Sequence, residues 1–108
     1  MINIKNNFKE EVTNNKCITV VDFWAPWCGP CKMFGPIFEN VSKKFNDIKF
    51  CKLNVDEDNE DVCKDLGVMS IPTIILFKDG KEIKRNIGFL DESSLIEFLE
   101  DNWCTISL

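Results

Sequence analysis

Cys28 and Cys31, two thiols with Gly29 and Pro30 between them, are the side chains of this sequence best placed to do covalent chemistry. A pair at this spacing can close a small disulfide ring without moving the rest of a fold, or supply half of a metal site. The backbone around it bears on which. Upstream, Ile18-Thr19-Val20-Val21-Asp22-Phe23-Trp24 is dense in β-branched and aromatic residues and reads as a buried strand within Cys17 to Trp24. Downstream, Phe34, Ile37, Phe38, Val41 and Phe45 recur at helical spacing, which predicts a helix from Cys31 to Phe45. Cys28 then stands where a strand hands over to a helix, at the end with unpaired N–H groups and partial positive charge. That field favours thiolate over thiol and is expected to lower the pKa of Cys28. Pro30 suits the first helical turn, where its missing N–H costs nothing. Together these parts make a nucleophilic thiolate with a resolving thiol behind it.

Other residues have two readings each. Asp22 is a carboxylate in an apolar strand run. Buried without a partner, its pKa would rise towards neutrality and make it a proton acceptor for Cys31; facing water, it is an ordinary strand-end acid. Lys52, read alone, is a surface lysine with a snorkelling stem. Pro72, read alone, starts a strand, although the Ile71–Pro72 bond has the option of being cis. A four-ligand zinc site wants two CxxC pairs; Cys17, Cys51, Cys63 and Cys104 form no second one, and histidine is absent. No metal is therefore expected. The acidic run from Asp56 to Asp61 reads as a solvated loop capping the next helix, since it lacks the glycine a calcium loop needs for its sharp turn.

The stretch Asp-Phe-Trp-Ala-Pro-Trp-Cys-Gly-Pro-Cys-Lys-Met, Asp22 to Met33, resembles the thioredoxin family. So do Lys52-Leu53-Asn54-Val55-Asp56, Ser70-Ile71-Pro72-Thr73, and Phe77-Lys78-Asp79-Gly80 with Gly88 after it. The similarity runs in order from about Phe8 to Asn102. It implies an α/β thioredoxin fold, a central five-stranded mixed sheet flanked by four helices. It also implies a protein-disulfide reductase in which Cys28 attacks, Cys31 resolves, and Asp22 serves Cys31 with Lys52 as its partner. Pro72 would be cis and packed against the redox pair, with the backbone of Ile71 hydrogen-bonding an extended substrate chain. Trp27, Gly29, Pro30, Ile71 and Gly88, with Met69 or Phe89, would form a flat apolar patch around Cys28, the two glycines letting a partner backbone approach. Gly29-Pro30 is similar to the reducing members, not the oxidants or isomerases. No bound cofactor is implied. A thioredoxin reductase would restore the dithiol, and substrates would be disulfide-containing proteins such as ribonucleotide reductase, peroxiredoxins or methionine sulfoxide reductases.

Length and composition set the frame. The 108 residues, 44% hydrophobic, suit a single domain spanning 1–108 around one core. A net charge of −5 argues against nucleic-acid binding, which needs clustered lysine and arginine. Met1 to Glu11 carries no apolar run of signal-peptide type, and no stretch approaches membrane-spanning length. The expectation is a cytoplasmic monomer. In that reducing compartment a CxxC is catalytic or metal-binding more often than a structural staple.

Around the motif, Met1 to Ile4 reads as a short strand and Phe8 to Asn14 as a helical turn or two. Pro36 and Gly35 interrupt the long helix, the proline removing a backbone hydrogen bond and kinking it. Ile48 to Val55 is a strand, followed by a short helix ending at Leu66 before Gly67. Thr73 to Phe77 and Glu82 to Ile87 flank Asp79-Gly80, a hairpin signal. Asp91 to Trp103 is an amphipathic helix with Leu95, Ile96, Phe98 and Leu99 inward and Asp91 or Ser93 as its cap. Trp24 would be core and Trp27 exposed. Cys17 and Cys51 read as inert buried hydrophobes, Cys63 and Cys104 as the better candidates for exposure. Two departures stand out: Asp56 to Gly67 is one residue longer than the pattern, and Trp103 to Leu108 runs past its end. Ser70 and Phe89 fall where a substrate would touch, which leaves partner preference open. Two other functions fit the same residues less well. One is a thioredoxin-fold binding or scaffold subunit, disfavoured by intact Cys28, Cys31 and Asp22. The other is a disulfide oxidant or isomerase, disfavoured by Gly29-Pro30.

Overall fold

A computed structural model describes residues 1–57 and 59–106, the last six by backbone alone. Five strands form one mixed sheet in the order β1-β3-β2-β4-β5. They are β1 (Ile2–Ile4), β2 (Ile18–Trp24), β3 (Ile48–Asn54), β4 (Thr73–Lys78) and β5 (Lys81–Ile87). β1 and β2 both run parallel to β3, whereas β4 is antiparallel to β2 and to β5. Three α-helices, α1 (Gly29–Ser42), α2 (Glu60–Leu66) and α3 (Glu92–Ile106), and one π-helical turn, Lys9–Thr13, complete the described elements. This is the thioredoxin fold that the motif order implied.

The period-two alternation of the strands sorts the core into two layers. On one face Ile18 and Val20 of β2, Ile48 and Phe50 of β3, and Ile74 and Leu76 of β4 meet Phe34, Phe38 and Val41 of α1 and Leu95, Phe98 and Leu99 of α3. On the other, Val21, Phe23, Cys51, Leu53, Ile75 and Phe77 meet Val12 of the π turn, with Val62, Cys63 and Leu66 of α2 packed against them. Asp22, Trp24 and Lys52 fall in the α1-facing rows. The hairpin turn carries Asp79 at φ 53° and Gly80 at φ 77°, the double left-handed geometry that a two-residue connection between twisted strands requires.

Several expected boundaries move. α1 begins at Gly29 and ends at Ser42, not at Cys31 and Phe45: the cap at Cys28 and the proline after it start the helix earlier than the apolar stripe. Pro36 lies inside α1 as expected. The first helical segment is a single π turn. α3 starts at Glu92, and the Asp91 carboxylate accepts the Ser94 N–H at 2.8 Å, making Asp91 its cap. Cys17 is exposed, contrary to expectation. It precedes the first paired residue of β2, and its N–H is turned to the Asn15 side chain at 2.8 Å. Cys63 is half-buried, not exposed, because it packs beneath α2 on the sheet. Asp58 and the side chains of Trp103 and Cys104 lie outside the described residues.

Candidate active site

β2 runs through the middle of the sheet and ends at Trp24, and the turn after it delivers Cys28 to the start of α1. Cys28 is the N-cap of that helix, in extended conformation (φ −88°, ψ 116°), and its Sγ accepts the N–H of Cys31 at 3.3 Å. Gly29 and Pro30 occupy the first turn, which returns the chain so that Cys28 and Cys31, 5.2 Å apart at Cα, are joined as a disulfide. Both cysteines are buried, Cys31 more deeply, in a small cluster with Ala25, Trp24, Val55 and Ile71. A sulfur in the N-cap position receives the N–H groups that a helix start leaves unpaired.

The second wall comes from the segment before β4. The Ile71–Pro72 peptide bond is cis. The Ile71 carbonyl oxygen lies 3.9 Å from Cys28 Sγ. The Pro72 carbonyl accepts the Gly88 N–H at 2.8 Å, and the Thr73 hydroxyl donates to the Ser70 carbonyl at 2.6 Å. Gly88 sits at φ 109°, where any side chain would strain the backbone. Trp27 is 68% exposed, and its indole N–H donates to Asp56 Oδ2 at 2.6 Å. Met69 (95%), Ile87 (64%) and Phe89 (42%) are also exposed apolar side chains on segments flanking Pro72 and Gly88.

On the α1-facing side of the sheet, Asp22 is fully buried. Neither carboxylate oxygen has a hydrogen-bond partner among the described residues. Burial lifts its pKa to about 7, with the positive charge of Lys52 pulling in the opposite direction. Lys52 is the direct cross-strand neighbour of Asp22 on β3, yet the two form no ion pair among the described residues. The Lys52 ammonium sits 4.5 Å from the centroid of the Trp24 ring, a cation–π contact, and close to Gly35 of α1.

The sequence-derived residues therefore fall into two groups. Cys28, Cys31, Ile71, Pro72 and Gly88 come together around the disulfide, with Trp27, Gly29 and Pro30 exposed beside it. Asp22 and Lys52 share a cross-strand row within the sheet. Two contributors were missed. Asp56, read as part of a solvated loop, holds the Trp27 indole from 29 residues away; its only local trace is the turn in which its N–H binds Asn54 Oδ1 at 2.9 Å. Ile87, read as a plain strand residue, is exposed just before the constrained Gly88. Among the described residues no three metal-binding side chains come together, and no helix is long and apolar enough to cross a membrane.

Comparison with known proteins points to one family. The family model described as thioredoxin matches residues 1–101. A thioredoxin of Rickettsia typhi is 45% identical over 94 residues, covering 86% of this chain and 89% of the relative. A thioredoxin of Mycoplasma genitalium is 41% identical over 92 residues, 85% and 89% of the two chains. Thioredoxin 1 of Synechococcus elongatus is 39% identical over 94 residues, 86% and 87%. The bonded Cys28–Cys31 pair is thus the redox centre of an oxidoreductase that acts on protein disulfides, and the chain belongs to the thioredoxin family.

Proposed function

We propose that Cys28 is the attacking nucleophile and Cys31 the resolving thiol of this protein-disulfide reductase. In the reduced protein the Cys28 thiolate attacks one sulfur of a substrate disulfide. The substrate S–S bond breaks, a Cys28–substrate mixed disulfide forms, and one substrate thiolate leaves. Cys31 then gives its proton to Asp22 and attacks Cys28 Sγ. The second substrate thiolate leaves, and the Cys28–Cys31 disulfide remains, two electrons having passed to the substrate. The observation that carries this assignment is the N-cap position of Cys28, whose sulfur accepts the Cys31 N–H while lying beside the Ile71 carbonyl. Asp22, buried, with no hydrogen-bond partner among the described residues and a pKa raised to about 7, suits proton transfer at neutral pH. Lys52, close enough to lower that pKa without bonding to it, tunes the acceptor.

Substrate docks on the surface made by Trp27, Gly29, Pro30, Ile71 and Gly88, with the buried Pro72 supporting Ile71 from within. An extended segment of the substrate pairs with the Ile71 backbone as a brief added strand. One domain spanning residues 1–108 carries the activity as a monomer, without a bound cofactor and without nucleic-acid partners. A thioredoxin reductase returns the pair to the dithiol, and the reducing cytoplasm is the setting in which such a dithiol is kept charged. Turnover of insulin disulfides with dithiothreitol as electron source tests the reading. Wild type is expected to outpace dithiothreitol alone, and Cys28→Ser to abolish the gain. A wild-type rate equal to that of dithiothreitol alone would overturn it.

A further inference from the structure

Helix α2 ends where the substrate-facing segment begins, and its last carbonyls need partners from outside the helix. Two are met locally: Cys63 O accepts the Val68 N–H at 2.9 Å and Lys64 O the Gly67 N–H at 3.2 Å, through a left-handed Gly67 at φ 68°. The carbonyl of Leu66 is met from β5, by Arg85 Nη2 at 2.8 Å. The guanidinium is itself fixed by a fork to Glu82, with Nε donating to Oε2 at 2.7 Å and Nη2 to Oε1 at 2.6 Å. A forked pair of this kind holds a planar orientation as well as a charge.

Three residues further along, just past the end of β5, the Gly88 N–H holds the Pro72 carbonyl. β5 and the residue after it therefore grip the chain at Leu66 and again at Pro72, and residues 67–71 are strung between the two anchors. Within that span Met69 and Ser70 are exposed, and the Ile71 carbonyl faces Cys28 Sγ. We infer that Arg85 is a positioning residue for protein substrates, setting through Leu66 the path of the 67–71 segment on which a substrate chain docks. The inference rests on the docking surface given under Proposed function. As a surface ion pair alone, Glu82–Arg85 would contribute little to stability. What separates it from that ordinary case is the bond to a carbonyl 19 residues away, at the root of the docking segment.

A protein disulfide that pairs with this segment feels the loss of Arg85, whereas a small aromatic disulfide that needs only the Cys28 sulfur does not. The test is steady-state reduction of insulin and of 5,5′-dithiobis(2-nitrobenzoic acid) by wild type, Arg85→Met, Arg85→Lys and Glu82→Gln. Arg85→Met is expected to raise the insulin KM about threefold to tenfold, the equivalent of one lost orienting hydrogen bond, with kcat and the small-disulfide rate unchanged. Arg85→Lys, which keeps a donor for Leu66 O, recovers most of that loss. Glu82→Gln, which keeps Arg85 but weakens its fork, raises the insulin KM roughly twofold. Equal losses on both disulfides, or a wild-type insulin KM in Arg85→Met, would overturn the inference. If Arg85→Met melts below the assay temperature, a wild-type insulin KM in Glu82→Gln overturns it instead. Wild type failing on insulin would strike the reductase reading, and this one with it; wild-type turnover with no KM split strikes this one alone.

Discussion

Cys28 and Cys51 are both buried, and they are opposites. Cys28 sits at the start of α1 with its sulfur accepting a backbone N–H. Cys51 sits within β3, paired with Ile2 of β1 on one side and Val21 of β2 on the other, among Val21, Leu53 and Ile75. Burial pushes the Cys51 thiol up to about 11, against the pull of the Lys49 charge. Burial alone does not decide whether a thiol reacts; the donors left free by the backbone do. Cys17 supplies the control, since it is exposed yet stands ahead of a strand and not at a helix start.

Alkylation tests this comparison most strongly. A thiol titrating near 11 is only about one part in 10⁴ thiolate at pH 7. In the reduced protein, iodoacetamide is expected to modify Cys28 on the order of a thousandfold faster than Cys51, with Cys17 between them, as followed by peptide mass spectrometry. Cys63, whose thiol burial also raises, falls on the slow side. If Cys17 reacts as fast as Cys28, exposure governs and the helix start does not.

Asp22 sharpens the same contrast from the carboxylate side. Its pKa is about 7 in the folded protein against an ordinary 3.8. Between those values the folded state holds a proton that the unfolded chain has released, so this group's contribution to stability falls as pH rises through the window. Above pH 7 the full penalty is present; below pH 4 none is. Replacing Asp22 with alanine is expected to stabilise the protein by on the order of 3 kcal/mol at pH 8 and by nothing near pH 3, read by denaturant melts. The same variant should slow insulin reduction at pH 7 by about tenfold, less than the roughly hundredfold or more of a full general acid–base contribution because solvent also accepts the proton. A variant no more stable at pH 8 than at pH 3 would break the assignment.

The smallest expected effect lies at the rim. Asp56→Ala frees the Trp27 indole and removes one short hydrogen bond, worth about 1 kcal/mol. Insulin kcat/KM should fall about threefold to fivefold, while alkylation of Cys28 keeps its wild-type rate. A parallel drop in alkylation would mean that Asp56 acts on the sulfur and not on the docking surface.

The parts legible in the sequence are those written in short-range pattern. The β-branched run into Trp24, the CxxC and the apolar stripe of α1 placed the redox pair, and Asp79-Gly80 placed the hairpin, because each depends on neighbours within a few residues. The cis bond at Pro72 came from family resemblance, not from residue chemistry. What escaped was long-range or competitive. The bond from Trp27 to Asp56 and the one from Arg85 to Leu66 span 29 and 19 residues, and no local period encodes them. Cys17 was misplaced because hydrophobic character extends a strand on paper, whereas the ladder begins only at Ile18. Lys52 was paired with Asp22 by resemblance, and the register does set them side by side. The lysine nonetheless turns its charge to the Trp24 ring, a choice set by side-chain packing after the strands have met.

The turn at Gly80 has a consequence for anyone wishing to display a peptide on this scaffold. Hairpin tips are the usual sites for grafts because they tolerate insertion. Here a side chain at Gly80 would run into the backbone carbonyl of Thr13, so the tip is packed against the end of the π turn. A guest peptide inserted between Asp79 and Gly80 would lever that turn off the sheet and take Val12 out of the core with it. The tip of this two-residue loop is, in this molecule, a packed joint.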